Sequence, residues 1–422
     1  MIPFRRHILS NGLRIIHHYD ASTRMTALNL LYDVGSKDES PSRTGFAHLF
    51  EHLMFGGSVH IPDFDTPLQK AGGENNAWTS NDVTNYYTVA PTHNIETAFW
   101  LESDRMLSLA FSPESLAVQK QVVIEEFKQR NLNQPYGDSY LLLRPMAYRV
   151  HPYRWPVIGR EVSHIAEATL DEVKQFFFAH YVPNNAILCI SGSLPFERAV
   201  ELCEKWFAPI PSRQIAPRHL PQEPVQPQPR RQTVERDVPL DAIFKAYHMV
   251  ARRHPDYQAC DALSDVLSSG RSSRLYRRLV MDEKLFTELD ASVTGDIEPG
   301  LFLVKGKLSP GVSLEQGEAA IDVELRRICD TPVDQRELDK VVNRFESNDL
   351  FSNLHYLNKA TNLAYYELLG GAGNIDCEVD RYKRLTPHDL QRVARDLFVP
   401  ENSSTLWYKS IPSGAPLIND IE

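Results

Sequence analysis

The chain has 422 residues, too many for one typical hydrophobic core and enough for two to four domains. Its apolar fraction of 42 % is that of a soluble globular protein, no apolar run approaches the roughly twenty residues of a membrane span, and a formal charge of −10 disfavours nucleic acid as a partner. Five cysteines without a Cys-x-x-Cys pair point to neither a disulfide framework nor a zinc ribbon.

The first residues, Met1-Ile2-Pro3-Phe4-Arg5-Arg6-His7, lack the apolar centre of a secretory signal, so a cytoplasmic location is expected. Ala27 to Tyr32 reads as a strand. The run from Thr44 to Gly57 then reads as a helix, with Thr44 placed to cap its first turn and Gly56-Gly57 to supply a left-handed ending. Ala47, Phe50, Leu53 and Met54 form an apolar stripe along it. His48 and His52, four apart, share one helical face, and Glu51 lies beside them. Two core histidines satisfied by hydrogen bonds are the bland alternative, but burying two imidazoles and a carboxylate on one turn without a metal is costly. Zinc accepts neutral imidazole, a catalytic site keeps a water in its fourth position, and Glu51 can take a proton from that water. The order His-x-x-Glu-His reverses the commoner zinc-protease motif and is the inverzincin pattern.

A third ligand must come from elsewhere. The segment from Ser112-Pro113-Glu114 to Gln129-Arg130 opens with a serine cap and a proline at the first helical position, and Leu116, Val123 and Phe127 recur at helical spacing. Its acidic pair, Glu125-Glu126, follows Val122-Val123-Ile124, and Glu126 shares more of the buried face than Glu125. An acidic pair on a solvated face remains open at this point.

Seven prolines between Pro209 and Pro229 mark a linker, which divides the chain into 1–208, 209–230 and 231–422. The two halves look alike. Thr169-Leu170-Asp171-Glu172-Val173 leads to Tyr181-Val182-Pro183-Asn184-Asn185 and a strand, as Thr386-Pro387-His388-Asp389-Leu390 leads to Phe398-Val399-Pro400-Glu401-Asn402 and a strand; 386 − 169 and 399 − 182 both equal 217. Ala27–Tyr32 corresponds to Ala242–Tyr247 at the nearby spacing of 215 (242 − 27). A duplicated unit of sheet and helices is expected. The second copy has no metal motif: Ala259 to Leu267 contains no histidine, and Asn343-Arg344-Phe345 stands where the acidic pair should be.

The pattern His48-x-x-Glu51-His52, with Glu126 lying 74 positions after His52 (126 − 52), resembles the pitrilysin (insulinase) family of zinc peptidases, which includes the catalytic subunit of mitochondrial processing peptidase. The resemblance covers nearly the whole chain. It implies an α+β fold of two duplicated lobes, each a mainly antiparallel sheet packed with helices, facing each other across a chamber. It further implies one Zn2+ per chain on His48, His52 and Glu126, Glu51 as the base that activates water, and Glu125 in support of the ligands. Gly72 to Thr79, followed by Thr84-Asn85-Tyr86-Tyr87, looks like the family's substrate-binding edge strand, which implies that Asn76, Ala77 and Thr79 hold an extended peptide by strand addition. The expected function is zinc metalloendopeptidase; a non-catalytic assembly subunit of the same fold is the alternative, and a structural zinc site a third. The sequence departs from the family in one respect. Aligning on Ser273-Arg274-Leu275-Tyr276 puts Val280 and Thr287 where an arginine and a tyrosine usually help hold substrate. A dimer is therefore expected, in which a related subunit could supply that pair.

Overall fold

Eleven strands rich in β-branched and aromatic residues form two sheets in the computed structural model, which describes residues 1–411. The strands are β1 (Arg5–Ile8), β2 (Arg14–Tyr19), β3 (Met25–Tyr32), β4 (Glu74–Thr79), β5 (Thr84–Pro91), β6 (Ala186–Gly192), β7 (Arg230–Arg236), β8 (Ala242–His248), β9 (Phe286–Val293), β10 (Leu301–Leu308) and β11 (Ser403–Ser410). The helices are α1 (Phe46–Leu53), α2 (Asp65–Lys70), α3 (Glu96–Leu107), α4 (Pro113–Phe127), α5 (Ser139–Ala147), α6 (Val162–Ala166), α7 (Leu170–His180), α8 (Phe196–Trp206), α9 (Tyr257–Ser268), α10 (Leu314–Asp330), α11 (Gln335–Ser352), α12 (Tyr356–Leu368), α13 (Glu378–Lys383) and α14 (Pro387–Leu397). None of these helices is long and apolar enough to cross a membrane.

Two compact units result, each gathered from separate stretches of chain. The first takes Met1–Phe127, Trp155–Leu220 and Asn348–Glu378; the second takes Lys128–Arg154, Pro221–Ser347 and the chain from Val379. The first holds a sheet in the order β1-β2-β6-β3-β5-β4, the second a sheet in the order β7-β11-β8-β10-β9. Leaving β1 aside, the orders match strand for strand. In each sheet one pair is parallel, β2 with β6 and β7 with β11, and every other pairing is antiparallel. The register repeats as well: Ala27 pairs with Ser191 and Ala242 with Tyr408, so Ser191 and Tyr408 are separated by the same spacing as Thr169 and Thr386. Those two threonines cap α7 and α14 in the same way, each exchanging hydrogen bonds with an acid three residues on, Glu172 or Asp389. The α+β class and the duplication of one unit are thus features of the fold.

The central strands of each sheet are covered on both faces, which explains why β6 is largely apolar and buried along its whole length. In the first unit Phe46, Leu49 and Phe50 of α1, Phe99 of α3, Val123 of α4 and Phe177 of α7 belong to one core. The opposite face, with Ile16, Ala27, Leu31, Ile187 and Cys189, is covered by Ala360, Leu363 and Ala364 of α12. The second unit repeats this arrangement, with Leu143, Met146 and Ala147 of α5 packed on Val234, Ala246, Leu303 and Leu406. Each half of the sequence thus lends one helix to the unit built mostly by the other half.

The proline-rich segment contains no helix or strand between Trp206 and Arg230. It is nonetheless held at two points near its middle. Arg218 bonds Asp33 and Asp38 in the first unit, while in the second the Glu223 carboxylate accepts the amides of Arg149, Val150 and His151.

Candidate metal centre

The helix carrying both histidines is shorter than the sequence suggests and is capped differently. Its N-cap is Gly45, with φ +88°, and the Thr44 hydroxyl is turned away to His164 Nδ1, at 2.8 Å. The amides at the start of α1 are taken instead by Glu39, whose two carboxylate oxygens accept from Gly45 N and Ala47 N, both at 2.9 Å. Burial pushes the Glu39 carboxyl well above its usual range, against the opposing pull of those two amides. An acid six residues upstream of Gly45 leaves no periodic trace in sequence, so the sequence does not predict this clamp. At the other end α1 stops at Leu53, and the left-handed turn expected at the glycine pair comes only at Gly57, φ +98°.

The ring of Phe50 stacks on Phe176 and Tyr181, and the Tyr86 hydroxyl donates to the Phe50 carbonyl at 3.3 Å. Burial raises the hydroxyl pKa of both Tyr86 and Tyr181, so both stay neutral beneath the helix. With its apolar face fixed, α1 presents His48 and His52 one turn apart, their rings 4.9 Å between centroids and inclined at 78°.

Helix α4 begins as expected, the Ser112 hydroxyl accepting the Ser115 amide, and then runs without interruption into a π-helical turn over Lys128–Leu132. Val123 is buried, Glu125 is exposed, and Glu126 turns inward. The Glu126 Oε2 lies 3.3 Å from His52 Nε2 and 3.7 Å from His48 Nε2. One atom from each of the three residues falls within 4.8 Å of the other two; Glu125 is outside this group. Tetrahedral zinc with ligands at about 2.0–2.2 Å separates neighbouring ligand atoms by about 3.3–3.6 Å. Two imidazole nitrogens and a carboxylate oxygen are ligands that zinc accepts, and the two imidazole-to-carboxylate separations lie close to that spacing. Among the described residues this is the one set of three such side chains so disposed.

Glu51 lies on α1 beside the first unit's edge strand β4. Thr79, expected to hold substrate, donates its hydroxyl to Glu51 Oε2 at 2.6 Å. Strand β4 alternates between exposed and half-buried residues: Glu74, Asn76 and Trp78 face out while Asn75, Ala77 and Thr79 face in. It pairs with β5 on one side only. The Ala77 amide is bonded to the Asn76 side chain, at 2.8 Å, rather than to β5. The open edge therefore carries a main-chain donor held by a displaceable side chain.

Among the described residues, the second unit has no equivalent centre. In place of the acidic pair, Asn343 and Arg344 lie on α11, and the Arg344 guanidinium bonds the Ser269 hydroxyl at the end of α9. Val280 packs against that unit's core, and the Thr287 hydroxyl donates to the Lys307 carbonyl at 3.2 Å.

Comparison with known proteins agrees with the fold. Residues 14–158 match the family described as Insulinase (Peptidase family M16), and residues 167–345 match the Peptidase M16 inactive domain. The three metal-capable residues all fall in the first match. Zinc protease PqqE of Helicobacter pylori is 30 % identical over 409 residues, covering 95 % of this chain and 91 % of that protein. The uncharacterized zinc protease YmxG of Bacillus subtilis is 24 % identical, covering 95 % and 97 %. The crystal structure of a protease from Helicobacter pylori superposes with a TM-score of 0.92 at 28 % identity, covering 97 % of this chain and all of the other. The duplicated fold and these matches establish that the chain belongs to the M16, or insulinase, family of peptidases.

Proposed function

We propose that this chain is a zinc-dependent metalloendopeptidase that hydrolyses peptides or unfolded segments bound as an added strand on β4. The observation that carries this reading is the convergence of His48, His52 and Glu126 beside a carboxylate, Glu51, that is itself tied to the open edge strand through Thr79. His48 Nε2, His52 Nε2 and Glu126 Oε2 would hold one Zn2+. When bound, zinc supplies Lewis acidity toward a water and toward the scissile carbonyl.

Glu51 does the proton work. As the water oxygen bonds the carbonyl carbon, the Glu51 carboxylate takes the water's proton; as the C–N bond breaks, it passes that proton to the departing nitrogen. Thr79 fixes the carboxylate through Oε2. The β4 edge orients the peptide, with the Ala77 amide available to a substrate carbonyl once Asn76 yields. Because Val280 and Thr287 occupy the positions of a substrate-holding arginine and tyrosine, we include in the proposal a dimer whose second, related subunit provides them.

Glu51→Gln should keep about one zinc per chain while lowering peptide cleavage by at least the 10²–10⁴-fold that general bases contribute. Glu126→Gln should lose zinc itself. Metal analysis and a peptide-cleavage assay on both variants test the reading, and activity retained in Glu51→Gln would overturn it.

A further inference from the structure

Arg105, on α3, is fully buried, and so is Glu102 one turn before it. The guanidinium forks onto that carboxylate through Nε and Nη2, at 2.8 and 2.7 Å, and Glu102 also accepts the Thr88 hydroxyl of β5 at 2.6 Å. Three aromatic rings surround the pair. The guanidinium carbon lies 4.4 Å from the ring centre of Phe64, 4.6 Å from that of Tyr86 and 5.1 Å from that of Phe55, all within the range of cation–π attraction. The rings also meet one another, Phe55 and Phe64 edge to face at 5.6 Å, Phe55 and Tyr86 at 6.2 Å. Nη1 of Arg105 is buried without a hydrogen-bond partner. A buried donor left unpaired is costly and calls for a reason.

Stability alone does not supply one. Replacing a buried ion pair by neutral residues of similar volume is often neutral or stabilising, so packing by itself does not require these charges. What the pair touches is the scaffold of the metal centre, from two sides. Phe55 belongs to the turn that follows α1, and its amide bonds the His52 carbonyl at 3.1 Å. Tyr86 donates to the Phe50 carbonyl of the same helix and stands opposite Ala77 of the β4 edge. One guanidinium therefore meets both the end of the metal helix and the strand that backs the peptide edge. A planar fork held by two hydrogen bonds has a fixed orientation, which a flexible apolar side chain of equal volume does not impose.

We propose that Arg105, oriented by Glu102, is a positioning residue for the metal centre: it fixes the turn ending α1, and with it His52, against β5. The inference rests on the metallopeptidase reading above. Its test is the affinity of the full chain for Zn2+, measured by competition with a chromogenic chelator, a readout that needs no substrate. The double variant Glu102→Gln/Arg105→Met removes both charges and keeps an acceptor for Thr88. It should unfold within about 3 °C of the parent chain. It should nevertheless bind zinc roughly tenfold more weakly, the scale on which groups that orient ligands act. With zinc saturating, kcat should fall while KM changes little. Arg105→Lys, which keeps the charge and loses the fork, should lie between the two. Leu202→Ala, which empties core volume on α8, should lower stability and leave zinc affinity unchanged. Parental zinc affinity in the folded double variant, or an equal loss of affinity in Leu202→Ala, would overturn the proposal. Should the double variant fail to fold, parental zinc affinity in Arg105→Lys overturns it instead. A zinc-loaded parent chain that cleaves no peptide would strike the metallopeptidase reading alone, the zinc affinities still deciding the positioning role; a parent chain that holds no zinc would strike both.

Discussion

Glu39 and Gly45 act at the scale of single residues on a centre they do not touch. Gly45 adopts φ +88°, and a Cβ there would stand 2.7 Å from the Ile158 carbonyl oxygen, so both backbone conformation and space exclude a side chain. Gly45→Ala should cost about 1–3 kcal/mol of stability through strain. It should also weaken zinc, because the start of α1 would shift by the distance its neighbours must give. Urea unfolding and competition with a zinc chelator measure the two effects. At this scale the sequence was informative where helical period applied: His48, Glu51 and His52 share a face by spacing, and Val123 pointed Glu126 inward. It was silent on Glu39, since a clamp closed through an irregular loop has no period, and on the Thr79 bond to Glu51, since a strand's alternation says which side a residue faces but not what it meets there.

At the scale of elements, α1, α4 and β4 together frame the candidate site, and the proposed role of β4 depends on its being an edge. The Ala77 amide lies outside the ladder to β5, so Ala77→Pro removes a donor from the open edge without breaking a sheet hydrogen bond, and proline is tolerated on such edges. We expect this variant to raise the KM for peptides at least tenfold with zinc content unchanged, as read by steady-state kinetics alongside metal analysis. Helix α12 offers a second prediction. Lys359 on it bonds Asp20 just after β2, at 2.9 Å, and the Ser22 hydroxyl, followed by that ammonium, holds the Asp20 carboxyl well below the usual carboxylate range. A depressed folded pKa means that ionised Asp20 stabilises the fold above the ordinary value of about 3.9, and that the contribution fades as pH falls below it. Asp20→Asn should therefore cost about 1 kcal/mol near neutral pH. The gap to the parent chain should close as unfolding is measured at successively lower pH below about 4.

Taken as a whole molecule, the chain repeats one unit of sheet and helices, and among the described residues the metal-capable set occurs once. If a related subunit supplies the missing arginine and tyrosine, the purified chain alone should hold zinc yet cleave peptides slowly, and mixing with such a subunit should raise kcat/KM at least tenfold. Full turnover by the chain alone would dismiss the partner. The sequence by itself pointed to the metal-capable His48-x-x-Glu51-His52 set, to the duplication and to the lack of such a motif in the second copy, because residue type, short-range period and a recurring spacing of about 217 are all local or self-referential properties of the chain. Only the tertiary structure decided that Glu126 approaches the histidines to 3.3 Å, that Glu39 clamps α1, and that α5 and α12 each pack on the sheet of the other half. Those facts depend on which buried apolar faces meet across hundreds of residues, and an apolar stripe shows that a face will be covered without naming the face that covers it.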